Sequence, residues 1–372
     1  MASSHILVTG GAGFIGSFLV DALIAEGHRV RIFDNLEPQV HSNGRPAYLN
    51  SQAEFIQGDV TNAEQLQAAL ADIDIVFHEA AMVGVGQSMY QIHRYVNTNT
   101  LGTANLLNLL VNEKHHVKKC VVASSMSIYG EGAYRCASCG PVVPPVREEK
   151  QLRAGDFEMH CPRCHALLQP NGTTEAKPLE ATSIYAITKK DQEEMVLTIG
   201  KTYGIPSVAL RYFNVYGPRQ SLANPYTGVA AIFLSRIKNN HPPLIFEDGQ
   251  QSRDFVSVHD IVQANLLAMK STAANYENFN VGTGRSTTVL QVAETLLRLM
   301  GKSLKPEVNG KFRKGDIRHC FSDITKIQRA LGYSPRMSFE AGMRELITWA
   351  ATAHAEDRVA QATAELQQKG LL

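Results

Sequence analysis

The chain has 372 residues, of which 44% are hydrophobic and 19% are charged. This length suggests one large domain or two fused domains with an ample core. Lys and Arg number 36 against 35 Asp and Glu, so the net charge of +1 gives no electrostatic reason to expect nucleic acid or a membrane surface as partner. Since no run approaches the roughly 18 apolar residues of a membrane-spanning helix, and no secretory signal precedes the first predicted strand, we expect a cytoplasmic protein.

The first 215 residues alternate short apolar or β-branched runs with amphipathic segments of helical period. Strands are predicted at 5–9, 29–33, 54–57, 73–78, 118–123 and 208–210, and helices at 14–26, 63–71, 99–113 and 185–203. Strands alternating with helices predict a parallel sheet that is covered on both faces. The fold class is therefore α/β, with a doubly wound parallel sheet of the Rossmann type.

The remainder of the chain is richer in loops and is predicted to form a smaller substrate domain. Residues 1–215 are assigned to the nucleotide-binding domain, interrupted by an insertion at 131–177, and residues 216–372 to the substrate domain, with some segments returning to the sheet. Helices are predicted near 228–238, 260–270, 289–300 and 339–351. The polar stretch 354–369 is predicted to be a frayed helix on the surface.

A glycine-rich turn follows the first predicted strand and leads into the first predicted helix. Gly10, Gly13 and Gly16 allow a tight turn, close approach of the backbone to a pyrophosphate and close packing of helix on strand. The second strand ends at Asp34, 18 residues after Gly16, where a carboxylate accepts hydrogen bonds from a ribose and repels a 2′-phosphate. The pattern predicts a dinucleotide site that holds NAD in preference to NADP.

A second constellation carries groups for acid–base chemistry. Tyr185 and Lys189 are four residues apart on one face of a predicted helix, and a nearby cation favours the phenolate of a tyrosine. Ser125 follows the strand at 118–123 and therefore lies at the carboxyl edge of the sheet, where ligands of such folds bind. These residues are candidates for catalysis near neutral pH.

With these motifs the chain resembles the extended short-chain dehydrogenase/reductase family, in its nucleotide-sugar 4-epimerase branch. The resemblance implies a catalytic set of Ser125, Tyr185 and Lys189, with Ser125 on the sugar oxygen and Lys189 on the nicotinamide ribose. It further implies that Asp59 meets adenine and that Asn99 supports the active site. The cofactor contacts predicted in this way are Gly10, Gly13, Phe14, Ile15, Gly16, Asp34, Asn35, Asp59, Val60, Ala80, Ala81, Asn99, Tyr185 and Lys189.

The same resemblance implies a site for a nucleoside diphosphate sugar. Two arginines can neutralise and orient the two negative charges of a diphosphate, although an arginine beside an aspartate can also be a surface ion pair. The predicted substrate contacts are Ser125, Ser127, Tyr185, Asn214, Arg219, Arg253, Arg313 and Asp316.

The residues after Ser125 bear on the reaction. In this family the 4,6-dehydratases carry an Asp–Glu pair there and the decarboxylases a glutamate, whereas this chain has Met126 and Ser127, neither of which exchanges a proton near neutral pH. Epimerisation at C4 through a transient 4-keto sugar is therefore expected. A one-way 4-dehydrogenase or ketoreductase would use the same residues and remains an alternative.

The expected sugar follows from the segment around Val83. The UDP-galactose type usually has a lysine at that position, and a less polar pocket suits a 6-deoxy sugar. This segment, Ser127 and the insertion resemble the subgroup that interconverts dTDP-L-rhamnose and dTDP-6-deoxy-L-talose. A UDP-hexose is the alternative, because the base is not evident from the residues.

Four of the six cysteines form two C-x-x-C pairs within the insertion. Cys136 and Cys139 are separated by 21 residues from Cys161 and Cys164, close to the spacing of a four-cysteine zinc ribbon. Such a spacing predicts structural zinc, and a redox role or ligation by the neighbouring histidines remains an alternative. A nucleic-acid-binding regulator that senses NAD is a more distant alternative. Residues 131–177 hold six basic and six acidic residues, so the insertion has no excess positive charge for nucleic acid.

Family members commonly dimerise through a bundle of two helices from each subunit. In this chain the corresponding helices are those predicted at 99–113 and 185–203. We therefore expect a homodimer whose partners are a nucleotide-diphosphate sugar and a tightly bound NAD.

Overall fold

The computed structural model describes residues 3–372. Its strands are, in chain order, β1 His5–Thr9, β2 Arg29–Asp34, β3 Glu54–Gln57, β4 Ile75–His78, β5 Lys119–Ser125, β6 Ala133–Cys136, β7 Gly140–Val142, β8 Gln169–Asn171, β9 Ser207–Tyr212, β10 Asn214–Tyr216, β11 Leu244–Ile245, β12 Ser252–Arg253, β13 Phe255–Ser257, β14 Glu277–Val281, β15 Thr287–Thr288, β16 Glu307–Val308 and β17 His319–Cys320.

The α-helices are α1 Phe14–Ala25, α2 Ala63–Ala69, α3 Val85–Ser88, α4 Ile92–Tyr95, α5 Gly102–Asn112, α6 Glu149–Arg153, α7 Ile184–Tyr203, α8 Val229–Lys238, α9 Val258–Lys270, α10 Val289–Leu299, α11 Thr325–Leu331, α12 Phe339–Ala350 and α13 Val359–Gln368. A π-helical turn, Val96–Leu101, leads into α5, and short 3-10 helices lie at Met126–Tyr129 and Thr272–Ala274. No helix in residues 3–372 is both long and apolar enough to cross a membrane.

The main sheet has seven parallel strands in the order β14-β9-β5-β4-β1-β2-β3. Strand order reverses between β1 and β4, and a crevice opens there at the carboxyl ends. The register places Thr9 level with His78 and Ser125 level with Tyr212. This architecture confirms the predicted α/β fold, and β14 returns to the sheet from the second half of the chain.

Helices bury apolar residues on both faces of this sheet. Leu19 and Leu23 of α1 join Ile261 of α9 in the core of one face, and residues of α2, α5 and α7, such as Leu66 and Val196, fill the other. Burial on both faces explains why the strands read as continuous apolar runs in the sequence. A separate core at the C-terminal side is formed by α8, α10 and α12.

Helix α7 illustrates how local sequence defines an element of the site. Its side-chain cap is Ser183, whose hydroxyl accepts from the backbone N–H of Ala186 at 3.1 Å. The helix ends at Gly204, whose φ of 68° is the left-handed conformation typical of a C-terminal cap. Tyr185 and Lys189 lie in its first two turns, close to the sheet edge.

The insertion at 131–177 forms a small unit of its own. Strands β6, β7 and β8 pair as an antiparallel sheet in the order β7-β6-β8. Its core contains Tyr134, Val142, Met159, Leu168, Cys136 and Cys161. A core of this size is too small to stabilise an isolated fold, so the unit depends on a cross-link or on contacts with its surroundings.

Candidate functional site

A cavity of about 650 Å³ opens at the carboxyl ends of the main sheet and extends into the C-terminal half of the chain. Most of the predicted site residues lie along its wall. They are Gly10, Gly13, Phe14, Ile15, Gly16, Asp34, Asn35, Val60, Ala80, Ala81, Ser125, Ser127, Tyr185, Lys189, Asn214, Arg253, Arg313 and Asp316.

The glycine turn leaves one end of the cavity open to a ligand. Gly10 has a φ of 70°, and a Cβ atom there would lie only 2.8 Å from the backbone of Ala80. A Cβ atom on Gly16 would collide with the carbonyl oxygen of Gly10, so neither position accepts a side chain. Since α1 begins directly after Gly13, its free N–H groups face this space. The turn thus fits a pyrophosphate of a dinucleotide.

Asp34 faces the cavity and stabilises the glycine turn through hydrogen bonds to its backbone. Its carboxylate accepts from the backbone N–H of Ala12 at 3.0 Å and from that of Leu36 at 2.8 Å. Burial raises the pKa of Asp34, while these backbone hydrogen bonds act to lower it. Each carboxylate oxygen keeps a further lone pair for a ribose hydroxyl.

Asp59 and Asn99 adjoin residues that line the cavity, Gly58 and Val60 for Asp59 and Thr98 for Asn99. Asp59 accepts a 2.8 Å hydrogen bond from the side chain of Asn35, which itself lines the cavity. Asn99 is fully buried in the π-helical turn, accepts from the N–H of Met82 at 2.7 Å and donates to the Thr188 hydroxyl at 3.0 Å. Asn99 is therefore placed to act through its neighbours, whereas the contact of Asp59 with adenine stays a prediction. The π turn is a local departure from the α-helix predicted at 99–113.

Ser125, Tyr185 and Lys189 come together at the sheet edge. Burial raises the pKa of Tyr185, and the hydroxyl of Ser125 beside it acts in the opposite direction. The Lys189 ammonium donates to the carbonyl oxygen of Ala123 at 2.8 Å, and burial lowers the pKa of Lys189 to about 8. The sheet edge thus holds together the phenol, the hydroxyl and the ammonium group that the sequence predicts for acid–base chemistry.

Glu79 is a site residue that the sequence analysis missed. It lines the cavity at the end of β4, and it acts on Lys189 through its charge. Burial raises its pKa to about 7, whereas a 2.8 Å hydrogen bond from the Tyr212 hydroxyl and the charge of Lys189 lower it. A carboxylate directly before Ala80 and Ala81, at a strand end, was the signal available in the sequence.

The residues that follow Ser125 offer no acid or base. Met126 is buried in the core beneath the site, and the hydroxyl of Ser127 donates to that of Ser125 at 2.9 Å. The backbone N–H of Ser127 points to the same oxygen at 3.2 Å. Ser127 thus orients Ser125 and adds no group that titrates near neutral pH.

The opposite end of the cavity is positively charged. Arg253 and Arg313 both reach Asp316, with nitrogen–oxygen distances of 3.3 and 2.8 Å. Although burial acts to raise it, the pKa of Asp316 is lowered by Arg313, Arg253 and Arg147. Arg147 is itself paired with Glu247, so Asp316 alone faces the guanidinium groups of Arg253 and Arg313, and the excess positive charge suits a diphosphate. Asn214 adds a buried side-chain oxygen that has no hydrogen-bond partner among residues 3–372.

Arg219 does not join this group. Its guanidinium pairs with Asp21 at 2.8 Å and lies over the rings of Phe18 and Tyr48, outside the wall of the cavity. The structure therefore does not support the predicted contact of Arg219 with a substrate. The physical reason is that an ion pair and two aromatic faces hold the side chain against α1.

The four paired cysteines converge in the insertion. Their sulfur atoms all lie within 4.8 Å of one another, and those of Cys136 and Cys164 are 3.5 Å apart. Four thiolates around tetrahedral zinc at about 2.3 Å would be separated by roughly 3.8 Å, so the set fits this metal. His160 is directed instead to Asp156, at 2.8 Å.

Comparison with known proteins gives the class of the chain. Residues 6–148 and 162–282 match the NAD dependent epimerase/dehydratase family. A dTDP-L-rhamnose 4-epimerase from Burkholderia thailandensis is 38% identical over 351 residues, which cover 93% of this chain and 94% of that protein.

Two solved structures extend the likeness to the fold. A UDP-glucose 4-epimerase from Thermotoga maritima, in a structure with UDP-glucose, has a TM-score of 0.75 and 33% identity, and the match covers 93% of this chain and 98% of that one. A UDP-glucuronic acid 4-epimerase from Bacillus cereus, in complex with UDP-glucuronic acid and NAD, has a TM-score of 0.78 and 28% identity, with 94% and 100% covered.

The chain belongs to the NAD dependent epimerase/dehydratase family. Membership confirms the resemblance found in the sequence and the expectation of an NAD-dependent nucleotide-sugar epimerase.

Proposed function

We propose that the protein is a nucleotide-sugar 4-epimerase that interconverts dTDP-L-rhamnose and dTDP-6-deoxy-L-talose. The observation that carries the proposal is one cavity with Ser125, Tyr185 and Lys189 at its centre, the glycine turn at one end and Arg253 and Arg313 at the other. The dTDP-L-rhamnose 4-epimerase relative supports the choice of sugar.

In the proposed reaction Tyr185 takes the proton of the C4 hydroxyl while Ser125 donates a hydrogen bond to the same oxygen. NAD bound in this site would supply the acceptor for the C4 hydride and, after the 4-keto sugar turns over, its donor to the opposite face. Tyr185 then returns the proton to the C4 oxygen. Lys189 favours the phenolate of Tyr185 and would hold the nicotinamide ribose. Residues around Gly10, Gly13, Gly16 and Asp34 would bind the rest of the dinucleotide, with Asp34 favouring NAD over NADP.

The absence of an acid at positions 126 and 127 favours epimerisation over elimination. Water elimination needs groups that give and take protons beside the sugar, and Met126 and Ser127 supply none. The 4-keto sugar therefore has only the return of hydride open to it. We expect no accumulation of a 4-keto-6-deoxy sugar from dTDP-glucose, whose alkaline absorbance is the measurement.

The test uses dTDP-L-rhamnose deuterated at C4, without added cofactor. An epimerase keeps the label at C4 of the product, and denaturation of the purified protein releases NAD in about stoichiometric amount. In a parallel reaction with added NAD, a one-way dehydrogenase instead passes the label to free NADH. Stoichiometric free NADH without a 4-epimer would refute the epimerase and favour the dehydrogenase, and turnover of UDP-glucose alone would refute the choice of sugar.

We further propose that Cys136, Cys139, Cys161 and Cys164 hold one structural zinc ion. The convergence of their sulfur atoms and the small core of the insertion support this role. Four free thiols also suit a reducing compartment, which agrees with a cytoplasmic protein.

A homodimer is the remaining proposal. Ile92, Val96, Leu101 and Ile187 are exposed apolar residues on α4, the π-helical turn and α7. The first three line a shared shallow groove, so a second copy of the same helices could cover them. A monomeric mass in light scattering at micromolar concentration would contradict the dimer.

A further inference from the structure

The C-terminal helix α13 lies against the cavity and is more than the frayed surface helix expected from its polar sequence. Ala362 and Leu366 are each 7% exposed, and both line the cavity. Leu366 packs on Gly86, where a Cβ atom would lie 3.3 Å from its methyl carbon. Gly86 belongs to α3, in which the Ser88 hydroxyl accepts from the backbone N–H of Tyr185 at 3.0 Å. Helix α13 therefore reaches the catalytic end of the cavity.

A polar cluster fixes the position of α13. The carboxylate of Glu365 accepts from the hydroxyl of Tyr226 at 2.6 Å and from that of Tyr90 at 3.0 Å, and the two hydroxyls are themselves 2.6 Å apart. These hydrogen bonds lower the pKa of Glu365. The three residues come from distant parts of the chain, so the cluster ties α13 to the loops that border the sugar end.

The end of the chain continues to the other side of the cavity. The carbonyl oxygen of Leu371 accepts from the backbone N–H of Lys314 at 3.2 Å. Lys314 lies between Arg313 and Asp316, in the loop that we assign to the diphosphate. Residues 359–371 thus cross from the catalytic end to the positively charged end.

We propose that Leu366 is a specificity-determining residue for the sugar, and that Glu365 is a positioning residue that holds it in place. Val83, Val85 and Gly86 face the cavity together with Leu366, and none of their side chains can hydrogen-bond a hydroxyl. This wall therefore suits a sugar with a methyl group at C5 and rejects one with a hydroxymethyl group, whose hydroxyl would lose its water partners. The inference rests on the proposed function, whose sugar it explains.

The experiment compares dTDP-L-rhamnose with dTDP-L-mannose, which differs from it only by the hydroxyl at C6. The wild-type protein should prefer the 6-deoxy sugar in both kcat/KM and equilibrium binding. Leu366→Ser opens the wall and offers a hydrogen-bonding group, so the preference should fall on the order of 10-fold. Leu366→Ala is a second variant, and Gln367→Ala, on the exposed side of the same helix, should leave the preference unchanged.

The role of Glu365 is tested by a pair of variants. Glu365→Ala should raise KM for dTDP-L-rhamnose several-fold with kcat nearly retained, because Ser125, Tyr185 and Lys189 are untouched. Glu365→Gln keeps an acceptor oxygen for the two tyrosines and should restore much of the loss. Equal kinetics in the two variants would show that the cluster does not position the wall.

The outcomes separate the inference from the proposed function. If neither nucleotide sugar turns over, the proposed function is wrong, and the binding ratio of the two sugars in Leu366→Ser still decides the role of Leu366. If the wild-type protein epimerises dTDP-L-rhamnose, and folded Leu366→Ser and Leu366→Ala both keep the wild-type ratio of the two sugars, the inference is wrong.

Discussion

The catalytic edge of the sheet and the cysteine insertion are adjacent in the chain but are stabilised in different ways. Ser125 and Lys189 belong to long elements of the main fold, and the Lys189 ammonium is anchored on the backbone of β5. The insertion has a small core and is attached to its surroundings by charged groups, such as Arg147 bonded to Glu247 at 2.8 Å. A side chain at the catalytic edge can therefore be replaced without loss of the fold, whereas the insertion should depend on its contacts with the surroundings and on the zinc ion that we propose.

The largest effect is expected at the catalytic edge. Tyr185→Phe removes the group that transfers the proton, so turnover should fall on the order of 10²-fold or more. The glycine turn and Asp34 are distant from this hydroxyl, so NAD should stay bound, as measured by release from denatured protein. Lys189→Met, in contrast, should impair both turnover and NAD binding. Loss of NAD from folded Tyr185→Phe would show that the catalytic edge cannot lose this hydroxyl without damage to the cofactor site.

The insertion should respond to the loss of a single thiolate. Cys161→Ser leaves three sulfur ligands, so elemental analysis should find well under one zinc per chain, against one in the wild-type protein. Hydrogen exchange should speed up within residues 131–177 while the main sheet stays protected. Cys120→Ala, which changes a buried thiol of the sheet core, should keep the metal. No stoichiometric metal in wild-type protein prepared without chelator would contradict the zinc site.

Arg147 attaches the insertion to the positively charged end of the cavity and is tested next. It donates to Glu247 at 2.8 Å and to the carbonyl oxygen of Asp316 at 3.0 Å. Arg147→Met leaves the buried Glu247 with fewer partners and should reduce the free energy of unfolding on the order of 3 kcal/mol. KM for the nucleotide sugar should rise as well, because the loop of Asp316 loses a support.

Arg153→Met is the matched control for this prediction. It breaks an exposed pair with Glu149 in the same insertion and should leave the free energy of unfolding almost unchanged. Equal losses of stability in the two variants, measured by urea unfolding, would show that the buried ion pair does not anchor the insertion.

The smallest effect concerns the pH dependence of the catalytic edge. Burial lowers the pKa of Lys189 to about 8, and the Glu79 carboxylate acts to raise it. Glu79→Gln removes that charge, so the pKa of Lys189 should fall further. The alkaline decline of turnover should therefore begin at a lower pH than in the wild-type protein. The raised pKa of Glu79 is about 7, so Glu79 is protonated and uncharged below that pH. The kcat/KM values of wild type and variant should therefore converge there. An unchanged profile of kcat/KM against pH would contradict this coupling.

The sequence by itself determined the parts of the molecule that depend on short spacing. The glycine turn, Asp34 at the end of a strand, the Tyr185 and Lys189 pair and the two cysteine pairs are defined within one element or one turn, where geometry follows from backbone periodicity. The alternation of strands and helices likewise predicted the parallel sheet, because both faces must be buried.

Only the tertiary structure decided which distant residues meet. Arg219 is one of the predicted substrate contacts, yet Asp21 and two aromatic rings hold it against α1. The polar sequence of α13 gave no sign that Leu366 would pack on Gly86, since its partners lie far away along the chain. Burial raises the pKa of Glu79 while the charge of Lys189 acts to lower it. No spacing in the sequence indicates that these two side chains meet. Such features arise when elements pack, because burial and pairing are properties of the assembled fold.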